Sequence, residues 1–207
     1  MRRPPVSAQA FRNVTGSEIP VFPLQTVLVP GGFLPLQIFE SRYLDMVRDC
    51  VRDESGFGVC LVLESATPGG KAQHTRIGTL ARVHDWNTME NGLLGITTRG
   101  HEKFHIQATR MRDSGLMIAD VEWIEDPEHV QVPDACLLLS EFVDRFMDKL
   151  SANYPEYDAA HLDDAVWVSY RLTELLPLKN LERQGLLELT DPVQRLERLL
   201  EILPRFQ

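Results

Sequence analysis

Cysteine is scarce in this sequence of 207 residues: Cys50, Cys60 and Cys136 are the only three. The number is odd and no pair forms C-x-x-C, which argues against a disulfide framework and for a reducing compartment. Long apolar runs are missing as well. Nothing approaches the roughly 18 uninterrupted apolar residues of a membrane span, so no membrane partner is expected. Positive charge is in short supply, with 21 Lys and Arg against 30 Asp and Glu. Binding a polyanion needs a positive face, so nucleic acid is not an expected partner either. Arg99, Lys103, Arg110 and Arg112 lie close together, but they read as solvated strand faces.

Catalytic signatures are also wanting. "SATPGGK" (65–71) has no glycine five residues before Gly70, and Ala72 follows the lysine, so it is not a phosphate-binding loop. There is no G-x-S-x-G. The opening "MRRPPVSAQAFRN" has two arginines but no apolar stretch behind them, which excludes a signal peptide. A cytoplasmic protein is expected, with a flexible N-terminus over 1–17, a β-rich domain over 18–127 and a helical domain over 128–207.

What is present is a change of period. "FGVCLVL" reads as a buried strand. In "RIGTLARVHDW", Ile77, Thr79, Ala81 and Val83 share a face. "MENG" ends in Asn-Gly, a hairpin turn, and "GLLGITTR" is the return strand. Phe104, Ile106 and Ala108 then alternate, and "DSG" turns the chain into "LMIADVEWI". One early helix, "SRYLDMVRDCVRD", carries Leu44, Val47 and Val51 inward, with Ser41 as its cap. After "EDPEHVQVPD" the period becomes 3.6. Ala135, Leu138, Leu139, Phe142, Phe146 and Leu150 mark one helix. "DDAVWVSYRLTELLP", "NLERQGLLEL" and "TDPVQRLERLLEIL" mark three more, the last capped by Asp191 with Pro192 at its first position. Val193, Leu196, Leu200 and Leu203 are its expected inner face.

"HEKFH" (101–105) matches the zinc pattern H-E-x-x-H. On a helix, two histidines four apart are one turn apart and can share an ion. On a strand they lie about 13 Å apart and cannot easily do so. Thr97, Thr98 and Gly100 before the motif are poor helix formers, and alternation follows it. The expectation is therefore a strand, with His101, Lys103 and His105 on its wetter face and no cofactor. A metal held by His101 and His105 is the alternative.

The most unusual stretch is "IPVFPLQTVLVPGGFLPLQIFESRYLDMV" (19–47). It is almost uncharged at first, yet contains Pro20, Pro23, Pro30, Pro35 and the pair Gly31-Gly32. Proline cannot donate to a central ladder, so it reads as two edge-type strands joined by a tight turn. Its buried irregular backbone needs partners, with Glu40 and Arg42 as candidates. "PVFPLQTVLVPGGFLPLQIFESRY" resembles the opening of the Lon protease N-terminal, substrate-binding domain. Pro20, Phe22, Pro23, Leu24, Pro30, Gly31, Pro35, Leu36, Ile38, Phe39, Glu40, Arg42 and Tyr43 fit that family's pattern. "IGTLARV", "NGLLGITTRGHEKFHI", "ERQGLLEL" and "DPVQRLERLLEIL" support it more weakly, though His101, Glu102 and Lys103 depart from the family's usual residues.

The resemblance implies an α+β fold: a PUA-like β pseudo-barrel followed by a C-terminal helical bundle. It does not imply proteolysis, since the ATPase and Ser-Lys protease of Lon proteases lie beyond this region. The expectation is a non-catalytic module that binds unfolded or partner polypeptide. Trp86 and Met89 at the hairpin tip, with Phe33 and Leu34 after the glycine pair, are the candidates for contact. Pro23, Pro30, Gly31, Pro35, Phe39, Glu40, Arg42 and Tyr43 are expected to be structural. A small enzyme with an unrecognised site, or an RNA-binding PUA-like module, are the alternatives.

Overall fold

A computed structural model describes residues 18–63, 73–150, 154 and 157–206. The expectations for residues 1–17 and for "SATPGGK" lie outside the described residues. Among the described residues there are seven strands: β1 (Glu18–Leu24), β2 (Phe33–Ile38), β3 (Phe57–Leu63), β4 (Gln73–His74), β5 (Ile77–Thr88), β6 (Leu94–Met111) and β7 (Met117–Ile124). Helix α1 (Ser41–Arg52) interrupts them, and α2 (Leu137–Leu150), α3 (Ala165–Leu175), α4 (Asn180–Glu188) and α5 (Pro192–Ile202) follow. The neighbours run β1-β7-β6-β5-β3, and β3 returns to β1 in parallel, so five strands close into a barrel. β2 pairs with β6 outside that ring.

β1 settles how a strand with two prolines can sit in a closed sheet. Its first half, Glu18–Val21, pairs with β7, and its second half, Val21–Leu24, pairs with β3. Each half therefore has one open side, which is what a residue without an N–H needs. β1 and β2 are not joined by a simple tight turn, however. The intervening segment is itself buried, with Val27, Leu28 and Val29 in the core.

The two hairpins between long strands share one turn chemistry. Gly92 N–H donates to Met89 O and Met89 N–H to Leu93 O; Gly115 N–H donates to Arg112 O and Arg112 N–H to Leu116 O. Both glycines have φ of +79°. Among the described non-glycine residues only Glu54 has positive φ. Glycine alone supplies the left-handed residue that closes each turn, and Asn91 does not share that task.

"GLLGITTR" and "EKFHIQATRMR" are not two strands but the single β6. Its face changes at a bulge between Ile106 and Ala108, so Ala108 is exposed where alternation places it inside. One residue extra in a ladder flips every side chain beyond it. All five barrel strands contribute to one apolar cluster of Ile19, Val21, Cys60, Leu80, Phe104, Ile106, Ala119 and Val121. The opposite strand faces meet α1 through Tyr43, Met46, Val47 and Cys50.

Three helix faces are rotated from expectation. In α1, Val51 is exposed and Tyr43, Met46 and Cys50 are buried beside Val47; Glu40, not Ser41, occupies the cap position. In α2 the buried line is Leu139, Val143 and Met147, continuing from Cys136 in the turn before it, while Leu138 and Phe146 face outward. The side chain of Leu150 lies outside the described residues. In α5 the buried residues are Pro192, Arg195, Leu196, Leu199 and Ile202, and Asp191 caps the helix through Val193 N–H. In α2 and α5 the ambiguity has one cause: apolar residues outnumber the positions that one stripe can bury.

All three cysteines are free and buried. Burial pushes the Cys50 thiol up to about 11 and the Cys60 thiol up to about 12. At pH 8 on the order of one such thiol in a thousand or fewer is thiolate, the reactive form. The folded protein is expected to leave a chromogenic disulfide reagent unreacted for minutes, and to titrate three thiols once denatured. Rapid colour in native buffer would contradict the burial of these groups.

Candidate functional site

A cleft of about 320 Å³ opens where the barrel meets the helices. The barrel side is built by Pro30, Gly31 and Phe33 at the start of β2, His84 in β5 and Arg99 in β6. The helical side is built by Tyr154, Tyr157, His161, Trp167, Tyr170 and Arg171. Two groups of rings line the cleft, joined by Arg171, whose guanidinium lies 5.3 Å from the Tyr154 ring and 5.9 Å from that of Trp167. Phe33 meets His84 edge-on at 5.3 Å and Tyr154 at 5.4 Å. Tyr157 stacks on Trp167 at 5.4 Å, with His161 5.1 Å from the same indole. Such a pocket offers apolar area at low entropic cost, since each ring has few torsions and its neighbours hold it.

The position of Phe33 comes from the helices. Arg171, 2% exposed, donates through Nη2 to Pro30 O at 2.6 Å and through Nη1 to Gly31 O at 3.1 Å. Nη1 also pairs with Glu174 at 2.7 Å, and the second oxygen of Glu174 accepts Phe33 N–H at 2.9 Å. One ion pair on α3 thus grips three residues of this segment, 30, 31 and 33. Gly31 is required here: its φ is +71°, and a Cβ would lie 3.2 Å from Arg171 Nη2. Thr79 Oγ1 donates to Leu28 O and Asn180 Nδ2 to Gln25 O, completing the support of the buried segment. Glu40 and Arg42, expected to supply that support, do something else. They pair with each other, and Arg42 donates to Gly115 O in the β6–β7 turn.

Behind the cleft lies a buried ionic cluster. Lys103 Nζ is 3.0 Å from Asp126 Oδ1, and Arg195 Nη2 is 3.7 Å from the same oxygen. Lys103 is 1% exposed and Arg195 0%. Arg195 also donates to Leu186 O, Leu189 O, Ser169 Oγ and Tyr170 Oη, and lies 3.9 Å over the Tyr170 ring. Burial lowers the Lys103 pKa, Asp126 opposes the shift, and Arg195 adds to it. Burial also holds the Tyr154 and Tyr170 hydroxyls far above the usual phenol range, so both stay protonated donors.

Lys103 corrects the sequence reading most sharply. It was expected on the wet face with His101 and His105, yet it is buried, because Asp126 and the helices cover that part of β6. The other basic residues scatter: Arg99 lies over Phe33, and Arg110 pairs with Glu18. His101 and His105 lie within strand β6, as expected, and His105 contacts Gln107. Among the described residues no group of three His, Cys, Asp or Glu is placed to hold a metal.

Of the four contact candidates the structure brings only Phe33 into the cleft. Leu34 packs toward the cluster around α1. Trp86 is 59% exposed and sits opposite Ile96, whereas the Met89 side chain lies over Gly95. These two tip residues therefore occupy opposite faces of the ribbon. Among the motif residues, Pro23 lies in the β1–β3 ladder and Pro35 in β2, while Tyr43 stacks on Phe22 at 3.8 Å. Phe39 is 68% exposed, so it has no core role. Sequence reasoning missed Tyr154, Trp167, Arg171 and Glu174. The available signal was a charged pair three residues apart inside an otherwise apolar helix.

A family model described as the ATP-dependent protease La (LON) substrate-binding domain matches residues 18–205. The chain belongs to this family. A Lon N-terminal domain protein from Xanthomonas campestris is 38% identical and superposes with a TM-score of 0.74, covering 89% of this chain and 97% of that one. The N-terminal domain of a Mycobacterium avium complex Lon protease shares the fold, with a TM-score of 0.65 at 15% identity, over 92% of this chain and 100% of that one. The fold is thus that of the Lon N-terminal domain, a pseudo-barrel with helices following. Lon protease 2 of Myxococcus xanthus is 26% identical over 90% of this chain, but that match covers only 23% of the protease. Protein cereblon of Danio rerio is 27% identical over 67% of this chain and 31% of its own length. The chain spans about a quarter of the Lon proteases it resembles. Among the described residues no helix is long and apolar enough to cross a membrane.

Proposed function

We propose that this Lon-type domain is a non-catalytic recognition module that binds polypeptide, an unfolded client or a protein partner, in the cleft between barrel and helices. The observation that carries this reading is the aromatic lining, held by both halves of the fold, with Phe33 half-buried within it. Apolar contact is undemanding about sequence, which suits a site that must accept many chains. The name of the matching family, a substrate-binding domain, supports the same reading. Trp86 at the hairpin tip is a secondary contact. A reducing compartment such as the cytoplasm suits the three unpaired thiols.

Reduced, carboxymethylated lactalbumin is a suitable unfolded probe, with binding followed by fluorescence anisotropy. Phe33→Ala and Trp167→Ala are each expected to raise Kd about tenfold, the scale of a buried aromatic contact. Trp86→Ala should raise it less. If neither cleft variant weakens binding while Trp86→Ala does, the cleft is the wrong place. If the wild-type protein does not bind the probe at all, the reading loses its support.

A further inference from the structure

Beyond the barrel ring, β2, the first part of β6 and the second part of β5 form a three-stranded arm. Among the described residues it has two margins with no strand beside them: the outer side of β2 and the outer side of β5 at residues 83–88. A bare margin of this kind is the standard docking place for an extended chain, and also a template for aggregation. Both hazards depend on how many N–H groups point outward.

On β2 the outward set can be deduced. Phe33 N–H donates to Glu174, away from β6. Since direction alternates along a strand, the outward positions are 33, 35 and 37. The first is taken by the Glu174 carboxylate, and the second is Pro35, which has no N–H. Only Gln37 is left. On β5, Met89 N–H closes the hairpin onto Leu93 O, so positions 86 and 88 point outward. Trp86 N–H is taken by the side chain of the neighbouring Asp85 at 2.9 Å. The register shift between Val83 and Asp85 then breaks the repeat. On the hairpin side of that shift only Thr88 is left. A strand that adds to β2, or to β5 on that side, would find at most one outward donor, too few to fix a register.

We infer that Glu174 and Pro35 on one margin, and Asp85 with the adjoining bulge on the other, close this arm to strand addition. A polypeptide bound as proposed above is therefore held through its side chains and not as an extra strand. This second clause rests on the polypeptide-binding reading; the first does not.

Two measurements test the two clauses separately. A labelled nine-residue peptide of alternating phenylalanine and serine is compared with the same peptide N-methylated at alternate residues, which cannot pair as a strand. Equal Kd within about twofold is expected; a loss of tenfold or more on methylation overturns the side-chain mode and leaves the polypeptide reading intact. If neither peptide binds, the polypeptide reading fails and the side-chain clause falls with it. The margins are then judged with a labelled peptide copying residues 94–99, the natural neighbour of both β2 and β5. No saturable binding to the wild-type protein is expected, with binding gained in Pro35→Thr/Asp85→Ala. Saturable binding to the wild-type protein, or none to a folded double variant, overturns the inference.

Discussion

Replacing Asp126 with alanine is expected to lower the unfolding free energy by about 3–5 kcal/mol, the cost of breaking a buried ion pair by removing one partner. The carboxylate faces two cations that have almost no access to water, Lys103 and Arg195, and accepts the Tyr170 hydroxyl at 2.7 Å. Arg195 keeps its two carbonyls and the Ser169 hydroxyl when Asp126 is lost. Lys103 is worse placed, since its contact to Leu189 O is long, at 3.5 Å. The loss should therefore fall mainly on Lys103. The pH dependence follows with a definite sign. A lysine whose folded pKa lies below its ordinary 10.5 binds fewer protons folded than unfolded between those two values, so stability rises with pH there. Below the folded pKa the penalty is present in full. Asp126→Ala removes the group that opposes the shift, so the variant should regain stability toward pH 10 more steeply than the wild-type protein. Urea unfolding at pH 7 and pH 9.5 measures both effects. The double change Lys103→Met/Asp126→Ala should lose less than Asp126→Ala alone, because no charge is then stranded. A loss near zero in the single variant would mean that water reaches Lys103.

The pattern of the chain carries the architecture well and the site poorly, for a reason visible in particular residues. Period-two alternation, the two glycine-closed turns and the proline-rich opening report local backbone preferences, and local preferences survive into the fold. Lys103 obeys that alternation in position but not in environment, because its own place on that face is covered by Asp126 and by the end of a helix at Leu189, 86 residues later in the chain. Ala108 leaves its expected face at a bulge, which a single sequence does not announce. The aromatic cleft is harder still. Phe33 is legible, following a Gly-Gly pair in a stretch almost without charge. Tyr154, Trp167 and Arg171 come from the helical segment and look like ordinary helix and loop residues until the barrel is set against them. Leu34 shows the complementary failure: next to Phe33 in sequence, it points to the other side of the sheet, as strand geometry requires.

The turn that presents Phe33 can be attacked from the barrel side without touching the cleft. A Cβ on Gly100 would lie 2.2 Å from Val29 O and 3.0 Å from Val29 C, and both are backbone atoms that no rotamer change can clear. Gly100 also exchanges hydrogen bonds with the glycine pair, donating to Gly32 O and accepting from Gly31 N–H. Gly100→Ala is therefore expected to cost about 1–3 kcal/mol, the range for overpacking a tight site. It should also weaken binding in the cleft, because the displaced segment is the one that Arg171 and Glu174 grip before Phe33. Gly185 provides the contrast. It lies inside α4, nothing stands within 4 Å of its would-be Cβ, and its φ is not positive. Gly185→Ala is expected to raise stability by about 0.5–1 kcal/mol through helix propensity alone, and to leave binding unchanged. Thermal unfolding and anisotropy on the two variants separate packing from propensity. A Gly100→Ala protein as stable as wild type would show that the segment from Val27 to Gly32 can withdraw from β6. The cleft wall would then be adjustable rather than fixed, and the preformed pocket for polypeptide would lose its rigid side.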